Sequence, residues 1–175
     1  MLPLNVRRWN RGVTLPEILA VVVIIGILAA ISLPSFLSWL NDRRVRDALV
    51  KVEGAMKEAQ REAIRQGRQC DLIINTSSNG SITGSCLVTG PRTFGDPALP
   101  FLTPIQLRSN RNDYSFFVNG TTNSTATLVV ALPTGEATQR CFVLSNGVGM
   151  MRKGTYQDSD TVGATAANCT TLQVQ

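Results

Sequence analysis

An acidic side chain stands at the mouth of the most apolar stretch of this 175-residue chain. Glu17 precedes a nearly continuous hydrophobic run over residues 18–33. Five positions before it, Gly12 closes a short segment that carries Arg7, Arg8 and Arg11 and no acid. An ionised carboxylate within a membrane segment costs about 2.5–3.5 kcal/mol on insertion scales, so Glu17 persists only near the surface or beside a cation. Other chemistry lacks its parts. There is no histidine to serve as a base. The four cysteines, Cys70, Cys86, Cys141 and Cys169, all follow the apolar run and include no C-x-x-C spacing, so a zinc site is not expected. An even cysteine count in an exported domain points to disulfides instead. Gly147-Val148-Gly149 lacks the strand–helix context of a phosphate loop. Asp158 and Asp160 sit on a Thr/Ser-rich tail and read as a solvated loop rather than a calcium site. No catalytic residue, metal or cofactor is expected.

The elements that must position Glu17 fall into three zones. Residues 1–12 are a basic leader. Residues 13–67 read as one long helix, apolar over 13–34 and amphipathic over 35–67. Residues 68–175 are rich in Thr, Ser, Asn, Gly and β-branched residues and read as a β-rich head. From Val13 to Leu33 there are 21 residues, a helical length of about 31 Å against a hydrocarbon core of about 30 Å. Pro16 falls in the first turn, where a missing N–H is harmless. Pro34 falls where the apolar run ends and is expected to kink the helix.

Beyond Pro34, Val45, Ala48, Leu49, Val52, Ala55, Met56, Ala59 and Ala63 follow steps of three and four residues. They form one stripe to be buried on the head. Glu53–Lys57 and Glu58–Arg61 read as favourable neighbours and Glu58–Glu62 as an unfavourable one. Gly67 is the expected stop. Strands are expected over 71–74, 85–89, 114–118, 126–132 and 140–144, with further ones over 149–156 and 170–174. Residues 75–84, with their Asn-Gly pair, read as the turn between the first two, and 90–104, with four prolines, as an irregular connection.

The net charge of +5 invites a nucleic-acid reading, but its distribution argues otherwise. Without the leader, 14 basic and 12 acidic residues remain, a net of +2. Residues 41–68 hold eight basic and five acidic residues, and from Gln69 onward there are six of each. The head is neutral, and the surplus lies on the helix.

The stretch Gly12-Val13-Thr14-Leu15-Pro16-Glu17, followed by the apolar run, resembles the leader signal of type IV prepilins and type II secretion pseudopilins. In that family a prepilin peptidase cuts after the glycine, the new amino terminus is methylated, and a glutamate stands at the fifth mature position. Gly12, Val13 and Glu17 match, and Pro34 matches the helix kink. Val13 stands where phenylalanine is usual and Pro16 where isoleucine is common. The resemblance implies that cleavage frees an amine on Val13, that this amine is methylated, and that it pairs with Glu17 of a neighbouring subunit to set axial register. An ordinary signal peptide, cut near Ala30-Ile31-Ser32, would leave a carboxylate inside its apolar core. A plain membrane anchor would not explain the Gly12–Glu17 spacing.

Residues 55–68, the run Thr127-Leu128-Val129-Val130, Pro133-Thr134-Gly135, residues 141–145 and Asn146-Gly147 look most like the FimT minor pilin and GspH pseudopilin group. That resemblance implies an α+β fold: a long pilin helix packed on a C-terminal antiparallel two-sheet β head. Some FimT-like pilins bind DNA through a basic C-terminal stretch, and the matching residues here are Arg152 and Lys153. Two cations followed by Asp158 and Asp160 give little phosphate neutralisation. Four cysteines allow three pairings. Cys70–Cys86 with Cys141–Cys169 is the expected one, the second bridge pinning the tail as a C-terminal bridge commonly does in this family. The resemblance implies a single-pass inner-membrane precursor with a periplasmic head. After assembly the subunit stands in a pilus at the cell surface or in a periplasmic pseudopilus. Its partners are the peptidase, membrane lipid before assembly, and other pilins. A minor pilin supporting biogenesis, competence or adhesion, a GspH-like pseudopilin and a DNA-binding minor pilin remain the alternatives.

Overall fold

The computed structural model of the chain describes residues 12–77, 79–94, 104–135, 137–157 and 163–171, leaving aside the side chains at 32–34 and 171. Most of the leader, Asp158 and Asp160 lie outside the described residues. The chain divides into two compact units, Met1–Leu37 and Ser38–Gln175. Helix α1, Leu15–Gln66, contributes its beginning to the first and the remainder to the second. The helical assignment runs through Pro34. The kink expected at Pro34 falls on side chains outside the described ones.

Within the second unit the helix lays its apolar stripe on two antiparallel sheets. All eight stripe residues, Val45, Ala48, Leu49, Val52, Ala55, Met56, Ala59 and Ala63, are at most 5% exposed. Small alanines alternate with larger side chains along this face, which lets the helix backbone approach the sheets. Gln66 is the last helical residue, and Gly67 follows at φ 61°, a left-handed conformation that costs glycine nothing.

The four-stranded sheet has the order β3-β2-β1-β5, from β1 (Cys70–Asn75), β2 (Ser81–Gly84), β3 (Arg92–Thr93) and β5 (Asp113–Phe116). Strand β1 alternates strictly, with Cys70, Leu72 and Ile74 inward, as a sheet with one wet face requires. The five-stranded sheet has the order β4-β6-β7-β8-β9, from β4 (Gln106–Ser109), β6 (Ala126–Ala131), β7 (Arg140–Leu144), β8 (Met151–Tyr156) and β9 (Cys169–Thr171). Strand β6 is buried throughout. Its even residues, Ala126, Leu128 and Val130, join the main core with the helix stripe, while Val129 joins a second cluster with Cys141, Val143, Tyr156, Ala164 and Cys169. The segment around Ala164–Cys169 therefore covers the back of this sheet.

Several strands depart from expectation. No strand covers 85–89, which forms turns; the partner of β1 is β2, in the stretch expected to be a turn, paired Leu72↔Gly84 through Asn75↔Ser81. The reason is steric. Gly84 lies so close to β1 that a Cβ there would stand 2.5 Å from Leu72 Cδ2. Glycines weaken the strand signal in sequence while permitting this approach in space. Strand β3 lies inside the stretch 90–104 expected to be irregular, where Arg92 and Thr93 pair with β2, and β4 begins just beyond that stretch.

Two disulfides hold the head: Cys70–Cys86, from β1 to the turn after β2, and Cys141–Cys169, from β7 to β9. The first thus ties a strand to a turn, not two paired strands of a hairpin. Tyr114 joins the sheets. Its hydroxyl lies 2.7 Å from Ser109 Oγ and donates to Asn110 Oδ1 and the Arg111 carbonyl, both at 3.0 Å. Burial pushes its phenol pKa up.

Candidate functional site at the N-terminal helix

The site predicted from sequence begins where helix α1 begins. The Thr14 carbonyl accepts the N–H groups of Glu17 and Ile18 at 3.1 and 3.2 Å, closing the first turn. Pro16 sits inside that turn, where its ring pre-sets the helical φ. Glu17 lies in the first turn, near the positive end of the peptide dipoles. Its side chain is exposed, as are Gly12 and Val13.

Beyond Glu17 the helix is apolar on every side. The large aliphatic residues from Val13 to Ile31 are all between 49% and 73% exposed. A helix that is apolar all round has no solvated face to offer and belongs in lipid or in a bundle. The segment is long and apolar enough to cross a membrane.

The second unit positions its charged residues differently. The helical acids flanking the stripe reach for the head. Glu58 accepts the Thr89 N–H at 3.0 Å and the Thr89 hydroxyl at 2.8–2.9 Å, and pairs with Arg92 at 2.8 Å. Burial pushes the Glu58 pKa up, but the Thr89 donors and the Arg92 charge outweigh it and leave it lowered. The expected Glu58–Arg61 pair is absent among the described ion pairs; Arg61 instead donates Nε to the Lys57 carbonyl at 3.3 Å. The expected conflict of Glu58 with Glu62 is relieved, because Glu62 turns to Arg65 at 2.7 Å. Glu53 takes both Lys57 at 2.6 Å and Lys153 at 2.9 Å, and these donors hold its pKa below the usual range. Gln60 donates to the Gly120 carbonyl at 2.8 Å. At Gly120, φ is 77° and a Cβ would stand 2.8 Å from Ile64 Cδ1, so only glycine fits. Of these contacts the sequence predicts Glu53–Lys57, but not those that reach from the helix to Thr89, Arg92, Gly120 and Lys153. The available signal was the placement of four acids, Asp42, Glu53, Glu58 and Glu62, at half-buried positions beside the stripe.

Arg152 and Lys153, singled out as a DNA contact, are adjacent on β8 and project to opposite faces of the sheet. Lys153 meets Glu53 on the helix side, and Arg152 donates to the Ala166 carbonyl at 3.2 Å on the back. The structure does not bring them together as a patch.

Residues 10–33 match the family described as the prokaryotic N-terminal methylation motif. The match takes in Gly12, Val13 and Glu17 together with the exposed apolar segment. The likeness to that family covers 24 of the chain's 175 residues. Among solved structures, the type IV minor pilin FimU of Pseudomonas aeruginosa is similar at 15% identity, with a TM-score of 0.49, over 63% of this chain and 87% of that one. No curated protein matches.

Proposed function

We infer that the chain is a minor pilin, a structural subunit of a type IV pilus-like filament that assembles by packing its N-terminal helix against those of other subunits. One observation carries the reading. A methylation motif over residues 10–33 opens a helix whose apolar side chains are exposed on all sides, in a chain whose head already has a complete core of its own.

Hydrolysis of the Gly12–Val13 amide by a prepilin peptidase leaves a carboxylate on Gly12 and an amine on Val13. Methyl transfer to that amine from an electrophilic methyl donor breaks the bond between the methyl and the donor, forms the N–C bond, releases the demethylated donor and a proton, and keeps the nitrogen able to carry charge. Glu17 of one subunit then pairs with the Val13 amine of another, and the pair offsets the cost of burying each charge. A pair of this kind fixes register more than it adds stability. Before assembly the helix spans the inner membrane once. The two disulfides support a head on the oxidising, periplasmic side.

Mass spectrometry of the protein purified from its own cells tests this directly. The expected mature species begins at methylated Val13; a start at Met1, or processing near Ser32, overturns the reading.

A further inference from the structure

We propose that Trp39 and Arg43 form a clamp for the phosphate of a membrane phospholipid, setting the depth at which the unassembled subunit sits in the bilayer. The inference rests on the membrane insertion put forward above. Residues 18–41 contain no Asp, Glu, Lys or Arg, a run of 24 residues. As a helix it measures about 36 Å, some 6 Å more than the hydrocarbon core. With Glu17 at one polar boundary, the last turn of the run, around Trp39, emerges among the headgroups of the other leaflet. Tryptophan is favoured at that level because its ring is apolar and its N–H polar.

Trp39 and the cation beside it both lie in the second unit. The Arg43 guanidinium stands over the Trp39 ring, 5.4 Å from its centroid, and both side chains are exposed. Arg43 enters no ion pair among the described residues. Of the acids near it on the helix, Asp42 pairs with Arg46 at 2.8 Å and with Arg140 of β7 at 3.6 Å, whereas Asp47, one turn further on, is exposed and forms no ion pair with Arg43 among the described residues. A guanidinium stacked on an aromatic face keeps its in-plane N–H fork for an acceptor, and that fork suits a phosphate better than a lysine point charge does. Arg43 lies two residues past the uncharged run, at the level of the lipid phosphodiesters, which offer its fork an acceptor besides the Asp47 carboxylate one turn on.

The test uses the full chain with Trp9→Phe, which makes Trp39 the sole tryptophan. The protein is reconstituted into phosphatidylglycerol–phosphatidylcholine vesicles bearing nitroxide labels at the headgroup or deep in the acyl chain. The expected result is that the headgroup label quenches Trp39 about twofold more than the deep label. Arg43→Gln should bring that ratio towards one, and Arg43→Lys should restore it only in part. A ratio unchanged by Arg43→Gln, or stronger quenching by the deep label in the parent, overturns the clamp while leaving insertion intact. Quenching by neither label overturns insertion and the clamp together. In phospholipid-free micelles, inorganic phosphate at matched ionic strength should leave the Trp39 emission unmoved. A shift there would assign the site to a free anion and overturn the lipid assignment.

Discussion

Helix α1 uses its apolar side chains in two opposite ways. Up to Ile31 they are exposed all round the helix; from Val45 to Ala63 they are gathered on one face and buried. The second pattern is complete within one molecule, since the stripe, two sheets and two disulfides close a core. The first pattern is not, since none of the described residues of its own unit covers it. On the function proposed above, folding and assembly fall to different stretches of one element. A substitution in one stretch should therefore leave the other property alone.

The most severe way to test that division is Glu17→Ala. Filament incorporation should be abolished, while the thermal unfolding of the head, followed by circular dichroism in detergent, should not move. Normal incorporation of the variant would end the assembly account. Met56→Ala should do the reverse and destabilise the head by about 2–5 kcal/mol through a core cavity. Ile24→Ala, an equally large truncation in the first stretch, should leave urea denaturation of the head unchanged. Equal losses from both would erase the distinction.

The disulfides sharpen the comparison within the head. Removing Cys141–Cys169, with a separation of 28 residues, should cost about 3.5 kcal/mol in the chain-entropy treatment. Removing Cys70–Cys86, with a separation of 16, should cost about 3 kcal/mol. Denaturation of the paired Cys→Ser variants gives the order.

A smaller effect is expected from the acids along the helix. Glu53 and Glu58 both have lowered pKa values in the folded head. A depressed carboxylate binds its proton more readily when unfolded. Its stabilisation is therefore present above the unfolded value of about 4.3 and is lost as pH falls through the lower folded values. Melting temperatures should drop between pH 5 and pH 3. Glu58→Gln should flatten that drop and cost about 1 kcal/mol at pH 7, since the Thr89 donors keep a weaker acceptor. The smallest expected change is Lys153→Ala, within about 0.5 kcal/mol, because that pair is half exposed.

Much of this was legible in the residues. The eight-member stripe was readable because a 3.6-residue period writes its own burial pattern, and β7 because Arg140–Leu144 is a compact β-branched and aromatic run between turn signals. The anomaly of Glu17 needed only the cost of a charge beside an apolar run. The pairing of β2 with β1 was hidden, because Gly80 and Gly84 look like turn residues and serve as points of close approach. The placement of β5 beside β1, and of β4 beside β6, depends on contacts between distant residues that no local period encodes. The turning of Glu58 from Arg61 to Arg92 had the same cause. Helix spacing reports neighbours along one element, whereas the better partner came from another.

The bridge from Cys141 to Cys169 has one more consequence. Strand β9 lies at the margin of its sheet and is anchored covalently to β7, two strands away in the sheet order. An exopeptidase working from the C-terminal side would be stopped at the cross-linked Cys169. Even a nick between β8 and β9 would leave the severed piece tethered in place, still shielding Val129, Val143 and Tyr156.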